Sequence, residues 1–219
     1  MKNLVLGLGL LLSVAATVAG CRETSKLPEP AIENMPLILP IQSDNPFKRY
    51  FDFQRGRLGI NSLRTNNQIT IRTRPIYQFT ISPTNTDVKV RTVEVYKSFA
   101  VPLNAANTAY EYGPRVKFGE YSSFPTTVTL NSLEALKGLT YQDGAVTTPL
   151  IELNPDGTIN PTKNFIGVKL NTAIVFTFEY ILEDGRRIVL TPLSTRGAIT
   201  GTFAARPYAA YAVFKDSVQ

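Results

Sequence analysis

The run Ala173-Ile174-Val175-Phe176-Thr177-Phe178-Glu179-Tyr180-Ile181-Leu182 is followed by Glu183-Asp184-Gly185, then by Arg186-Arg187-Ile188-Val189-Leu190-Thr191. Ile174, Phe176, Phe178, Tyr180 and Leu182 recur at every second position. That is the period of a strand with one buried face, because successive side chains leave a strand on opposite sides. The Glu-Asp-Gly triplet supplies turn chemistry, and Ile188 and Leu190 come back in phase on the returning segment. The stretch predicts an antiparallel hairpin with an aromatic inner face.

Working outward, the same period governs most of the chain. Tyr77, Phe79 and Ile81 alternate with Ile76, Gln78 and Thr80, and the aromatic set is expected to face inward. Ile69 and Ile71 alternate with Thr70 and Arg72 until Pro75 breaks the run. Asp87 to Phe99 reads as one long strand whose phase slips between Val88/Val90 and Val93/Val95, the mark of a bulge or of a strand that changes sheet. Arg115–Tyr121, Thr126–Leu130, Thr200–Phe203 and Tyr208–Lys215 are further short strands. The one helical signal is Asn131 to Gly138, where Asn131 can cap, Glu134 stands three residues on, and Gly138 can end the turn. It is expected to plug one end of the fold through Leu133 and Leu136. Asp143-Gly144, Asn154-Pro155-Asp156-Gly157 and Asn160-Pro161 are turns. Nine or ten short strands and one short helix predict an all-β fold, an antiparallel immunoglobulin-like β-sandwich. The rival, an outer-membrane barrel, needs more cleanly alternating segments of wall length than the sequence supplies.

Composition narrows the chemistry. The 219 residues include 12 Phe, 10 Tyr, one Cys, no His and no Trp, with a net charge of +6. Without His, a Ser-His-Asp or Cys-His mechanism and a His-ligated metal are excluded, and one Cys allows no internal disulfide. Neither a cofactor nor a metal is expected.

The N-terminus carries an address. Lys2 precedes the uncharged apolar stretch Leu4–Val18, and small residues Ala19 and Gly20 lead to Cys21. The stretch is shorter than the roughly 20 residues that span a bilayer as a helix, and a small-residue exit suits a signal peptidase. Val18-Ala19-Gly20-Cys21 resembles the lipobox of bacterial lipoproteins. The resemblance implies diacylglyceryl transfer to the Cys21 sulfur, cleavage after Gly20 and acylation of the new N-terminus. Each buried methylene then contributes about 0.8 kcal/mol to membrane attachment. Residue 22 is Arg, not the Asp associated with inner-membrane retention, so the outer membrane is the expected destination. Pro28, Pro30, Pro36, Pro40 and Pro46 exclude helix between the anchor and the body. The expected organisation is a signal peptide over 1–20, a lipidated Cys21 with a proline-rich tether over 21–46, and one β-sandwich domain over 47–219. Leu37–Ile41 is apolar enough to dock as an edge strand.

Two side-chain groups are candidate binding surfaces. Tyr110, Glu111 and Tyr112, with Arg115, Tyr121 and Phe124 nearby, can form a surface that stacks aromatic faces on sugar C–H bonds while Glu111 or Arg115 meets hydroxyls. Their plainer reading is packing at sheet ends. Lys48, Arg49, Arg55, Arg57, Arg64, Arg72 and Arg74, interleaved with Tyr50, Phe51 and Phe53, form a basic aromatic segment opposed only by Asp52. It suits lipid phosphate or an acidic polysaccharide, or simply the polar faces of strands near an anionic membrane. No nucleic-acid module is matched, and nucleic acid is not an expected partner. For catalysis, Glu179, Glu183 and Asp184 are the closest acidic grouping, but the last two are needed by the turn, and no enzymatic activity is expected.

Val93-Glu94-Val95-Tyr96-Lys97-Ser98-Phe99, Phe124-Pro125-Thr126-Thr127-Val128-Thr129-Leu130-Asn131-Ser132-Leu133 and Glu183-Asp184-Gly185-Arg186 are similar to stretches of small Bacteroidota lipoproteins. Those proteins are often encoded beside starch-utilisation-type transporter and binding-lipoprotein pairs. The resemblance implies a non-enzymatic binding or accessory lipoprotein of nutrient uptake, with a glycan as ligand. A structural or assembly lipoprotein contacting other envelope proteins is the competing expectation.

Overall fold

The computed structural model describes residues 40–52, 75–83, 88–106, 109–143, 146–157, 167–191 and 208–215. All of them belong to one compact unit, Met35–Gln219. Cys21, the tether up to Leu39, the alternating run at 69–72, Asn160-Pro161 and Thr200–Phe203 lie outside the described residues.

The body is mostly β. Two long strands form its spine: β4 (Val90–Pro102) and β10 (Ala173–Leu182) pair antiparallel from Ala173 opposite Ala100 to Ile181 opposite Thr92. On the far side of β10 lie β12 (Ala209–Lys215) and, beyond the turn, β11 (Arg187–Val189). On the far side of β4 lie β5 (Tyr110–Tyr112) and β6 (Val116–Tyr121). β2 (Phe51–Asp52) joins β12 in parallel, which makes this seven-stranded sheet mixed. A second sheet of three antiparallel strands is ordered β1 (Ile41–Gln42), β3 (Ile76–Ile81) and β7 (Thr126–Asn131). A separate two-stranded hairpin joins β8 (Thr140–Asp143) and β9 (Val146–Pro149).

The alternation read from β10 holds. Ile174, Phe176, Phe178 and Tyr180 point into the core, as do Tyr77, Phe79 and Ile81 from β3, and none of these is more than 2 % exposed. The two aromatic rows meet. Phe176 lies 5.9 Å from Tyr77 and 5.2 Å from Phe79, and Phe79 meets Phe178 edge-on at 5.7 Å. Each such ring removed from water stabilises the fold by roughly 1.5–3 kcal/mol, and the pair geometry adds about 1 kcal/mol. The phase slip in β4 is a bulge: Ile181 faces Thr92 but Leu182 faces Val90, so Arg91 is the extra residue and projects to solvent. The bulge returns Val90 to the core side, where it packs against the cluster.

The helix forms as its sequence dictates, over α1 (Ser132–Leu136). Asn131 Oδ1 accepts from the Leu133 and Glu134 amides at 3.0 Å each, and Glu134 returns the bond to the Asn131 amide. Ala135 and Leu136 are fully buried while Leu133 is only partly so. Gly138 follows at φ +78°, a left-handed position suited to glycine. Fewer strands were expected than the twelve among the described residues, because two- and three-residue strands carry no periodicity.

Candidate functional site

The face of the seven-stranded sheet turned away from the core divides into two halves. At one end Glu94 of β4 stands directly opposite Glu179 of β10. Like charges in that position repel unless cations intervene. Arg187 of β11 donates from Nη1 to Glu94 at 2.5 Å and also to Glu179. Arg115 Nη2 reaches Glu179 at 2.8 Å, and Lys117 Nζ reaches Glu94 at 2.8 Å and Glu120 at 2.9 Å. The Tyr96 hydroxyl donates to Glu94, and the Arg115 guanidinium lies 4.1 Å from the centre of the Tyr96 ring. Lys117 and Arg187 hold the Glu94 carboxyl down to about 2. Glu94 therefore has no proton to give a leaving group near neutral pH, and the facing carboxylates clasp four strands together.

The other half of the face is apolar. Tyr112 stands opposite Ala100, its hydroxyl 2.8 Å from that of Tyr211 on β12, and Tyr110 is buried with its ring 6.0 Å from Tyr211. The five residues of the expected sugar surface are thus distributed by register. Tyr110 and Tyr112 share this apolar half, and Arg115 belongs to the ionic half. Tyr121 stands opposite Val93 on the core side. Seven residues of β4 separate the Tyr112 and Tyr121 pairing positions, roughly 23 Å along a strand.

Glu111 and Tyr112 nevertheless border a small open cleft, whose remaining lining is Phe99, Val101, Gly113, Thr140, Tyr141 and Gln142. Its second wall was not anticipated. Tyr141 lies on β8, meets Phe99 edge-on at 6.3 Å, and has the backbone of Gly167 pressed on its ring. A Cβ at Gly167 would lie 2.5 Å from that ring, and its φ is +86°, so glycine is required there twice over. The cleft is lined by two half-buried tyrosines, Tyr112 and Tyr141, one exposed carboxylate and one side-chain amide.

Of the basic segment, Lys48 and Arg49 are described and Arg55, Arg57, Arg64, Arg72 and Arg74 are not. Arg49 Nε donates to the Ser43 carbonyl at 2.7 Å, Phe51 is fully buried, and Tyr50 lies under the Lys215 ammonium at 4.2 Å.

One charged residue escaped the sequence reading altogether. Lys97 shares the inward face of β4 with Val93, Val95 and Phe99 and stands opposite Phe176. Its ammonium donates to the carbonyls of Glu134, Ala135 and Lys137 at 2.9, 3.0 and 2.6 Å. These are carbonyls that a helix end leaves without partners. Burial, reinforced by Lys137, pushes Lys97 down to about 8. The signal was present: a lysine occupying an apolar beat of an alternating strand.

Among the described residues no group of three or more His, Cys, Asp or Glu is placed to hold a metal ion, and no helix is long and apolar enough to cross a membrane. Neither the family models, nor the curated proteins, nor the solved structures compared with this chain gave a match.

Proposed function

We propose that the chain is a non-enzymatic lipoprotein of the bacterial cell envelope, exported and held in the outer membrane through acylated Cys21. Its β body, on this reading an immunoglobulin-like sandwich, is a glycan-binding accessory module of nutrient uptake. The lipobox Val18-Ala19-Gly20-Cys21 and the likeness to small Bacteroidota lipoproteins support the anchor and the setting. The observation that carries the binding role is the cleft in which Glu111 and Tyr112 meet Tyr141 and Gln142. The Tyr141 ring supplies a stacking wall, and the carboxylate and amide supply partners for hydroxyls.

The test is calorimetric titration of the full chain in detergent micelles with a panel of soluble oligosaccharides. Saturable binding to at least one is expected, weakened roughly tenfold in Tyr141→Ala. Absence of saturable binding across the panel, or affinity unchanged in both Tyr141→Ala and Glu111→Gln, would refute the cleft. Loss of palmitate labelling in Cys21→Ala is the corresponding check on the anchor, and retained label would refute it.

A further inference from the structure

Every open sheet offers edges whose unpaired N–H and C=O groups invite another strand, and proteins guard them with charge, proline, bulges or brevity. Among the described residues the guarded edges are easily recognised. β1 and β2 have two residues each. β5 and β11 have three and carry Glu111 and Arg187. β8 ends in Asp143 and β9 in Pro149. β6 is six residues long, but it carries Lys117 and Glu120 and is bulged at Phe118.

β7 has none of these guards. It runs for six residues, Thr126-Thr127-Val128-Thr129-Leu130-Asn131, without a charge or a proline, and among the described residues it pairs, in unbroken register, with β3 alone. Every second residue therefore directs its backbone N–H and C=O away from β3. Its outward side chains continue a neutral hydroxyl–amide row. Thr127 Oγ1 lies 2.9 Å from that of Thr80, and Gln78 Nε2 donates to Thr129 at 3.0 Å. Its inward side chains, Val128 and Leu130, remain 6 % and 3 % exposed.

We infer that β7 is a docking edge for a second copy of this chain, the two β7 strands pairing antiparallel about a twofold axis at Val128. Val128 then faces its own counterpart, and Thr127 faces Thr129 of the other copy. The two three-stranded sheets become one of six strands. A second copy is favoured over other extended partners because the contact is self-complementary, as a twofold interface must be. With a net charge of +6, two copies approach most readily where charge is absent, and β7 is such a place. The inference is independent of what the cleft binds.

The test is analytical ultracentrifugation of the full chain in excess detergent micelles over a dilution series from about 100 to about 1 μM. Wild type is expected to show a concentration-dependent dimer. Thr127→Lys/Thr129→Lys and Thr127→Glu/Thr129→Glu place like charges opposite one another across the twofold axis. Each is expected to weaken self-association at least about tenfold while keeping a wild-type circular dichroism spectrum. Mixing the two variants is expected to restore dimers, because every facing pair is then of opposite charge. A wild type that sediments as a monomer throughout would overturn the proposal, and so would a lysine variant that dimerises as tightly as wild type. Equally, it fails if wild type dimerises but the mixed variants do not.

Discussion

The two faces of β4 handle charge by opposite means. On the inward face one ammonium, Lys97, is surrounded by fixed backbone carbonyls at the end of α1 and by aromatic neighbours. On the outward face two carboxylates, Glu94 and Glu179, are held by side-chain cations, two of which are about half exposed. The first arrangement is rigid and dry, with its donors and acceptors set by the fold. The second is adjustable, and water and salt reach its rim. A buried charge with fixed partners is costly to disturb, whereas exposed members of an ion network contribute little individually.

That contrast is open to direct attack. The largest effect is expected on the inward face. Lys97→Ala leaves three helix-end carbonyls without their donor and opens a cavity, and urea denaturation is expected to show a loss of roughly 4 kcal/mol. Lys97→Met fills the space without the charge and is expected to cost less. If Lys97→Ala is as stable as wild type, the lysine does not secure the helix.

The same residue has a pH signature whose sign follows from its position. The unfolded chain holds the Lys97 proton up to its ordinary value of 10.5, while the folded chain releases it near 8. Between those values the unfolded state binds more protons, so stability is expected to rise with pH across that window. The rise should be absent in Lys97→Met, and an identical alkaline profile in both proteins would refute the assignment.

The outward face should respond in steps. Glu179→Ala strips the partner from Arg115, whose side chain is only 9 % exposed, and is expected to cost roughly 3 kcal/mol. Arg187→Ala removes a half-exposed cation and is expected to cost about 1 kcal/mol or less. A reversal of that order would show that the bridge across both carboxylates, not burial, holds the face together. The smaller effect is also the acid-sensitive one. Glu94 contributes stability above its ordinary value of 4.5 that is lost as pH falls through about 2. Glu94→Gln should flatten that limb of a thermal-melt profile.

How much of this was legible depended on how local the cause was. β10, β3 and the cap of α1 were readable because alternation and capping act over a few residues. The bulge at Arg91 was readable as a slip of phase, although only pairing with β10 distinguishes a bulge from a change of sheet. The ionic clasp was not readable, since Glu94 and Glu179 become neighbours only through a register spanning 85 positions of sequence. The tyrosines illustrate the same limit. Tyr110, Tyr112 and Tyr121 are close in sequence, but pairing with opposite ends of β4 parts them, while Tyr141 arrives at the cleft from another hairpin. Cys21 and most of the arginine-rich segment lie outside the described residues, so their reading stands on the sequence.

The short parallel contact of Phe51–Asp52 with Phe214–Lys215 has a bearing on how the body comes into being. It joins positions 163 residues apart, and the fully buried rings of Phe51 and Phe214 pack at 4.9 Å across that seam. Closing so large a loop is entropically slow, and it must wait for β12 to emerge. Until then β10 is paired along its first half on the β4 side alone, and Phe51 has Tyr77 beside it but lacks Phe214. A growing chain therefore cannot bank its early strands as finished structure: maturation is a single late event, and a nascent body halted before residue 209 would present an adhesive flank rather than a smaller domain.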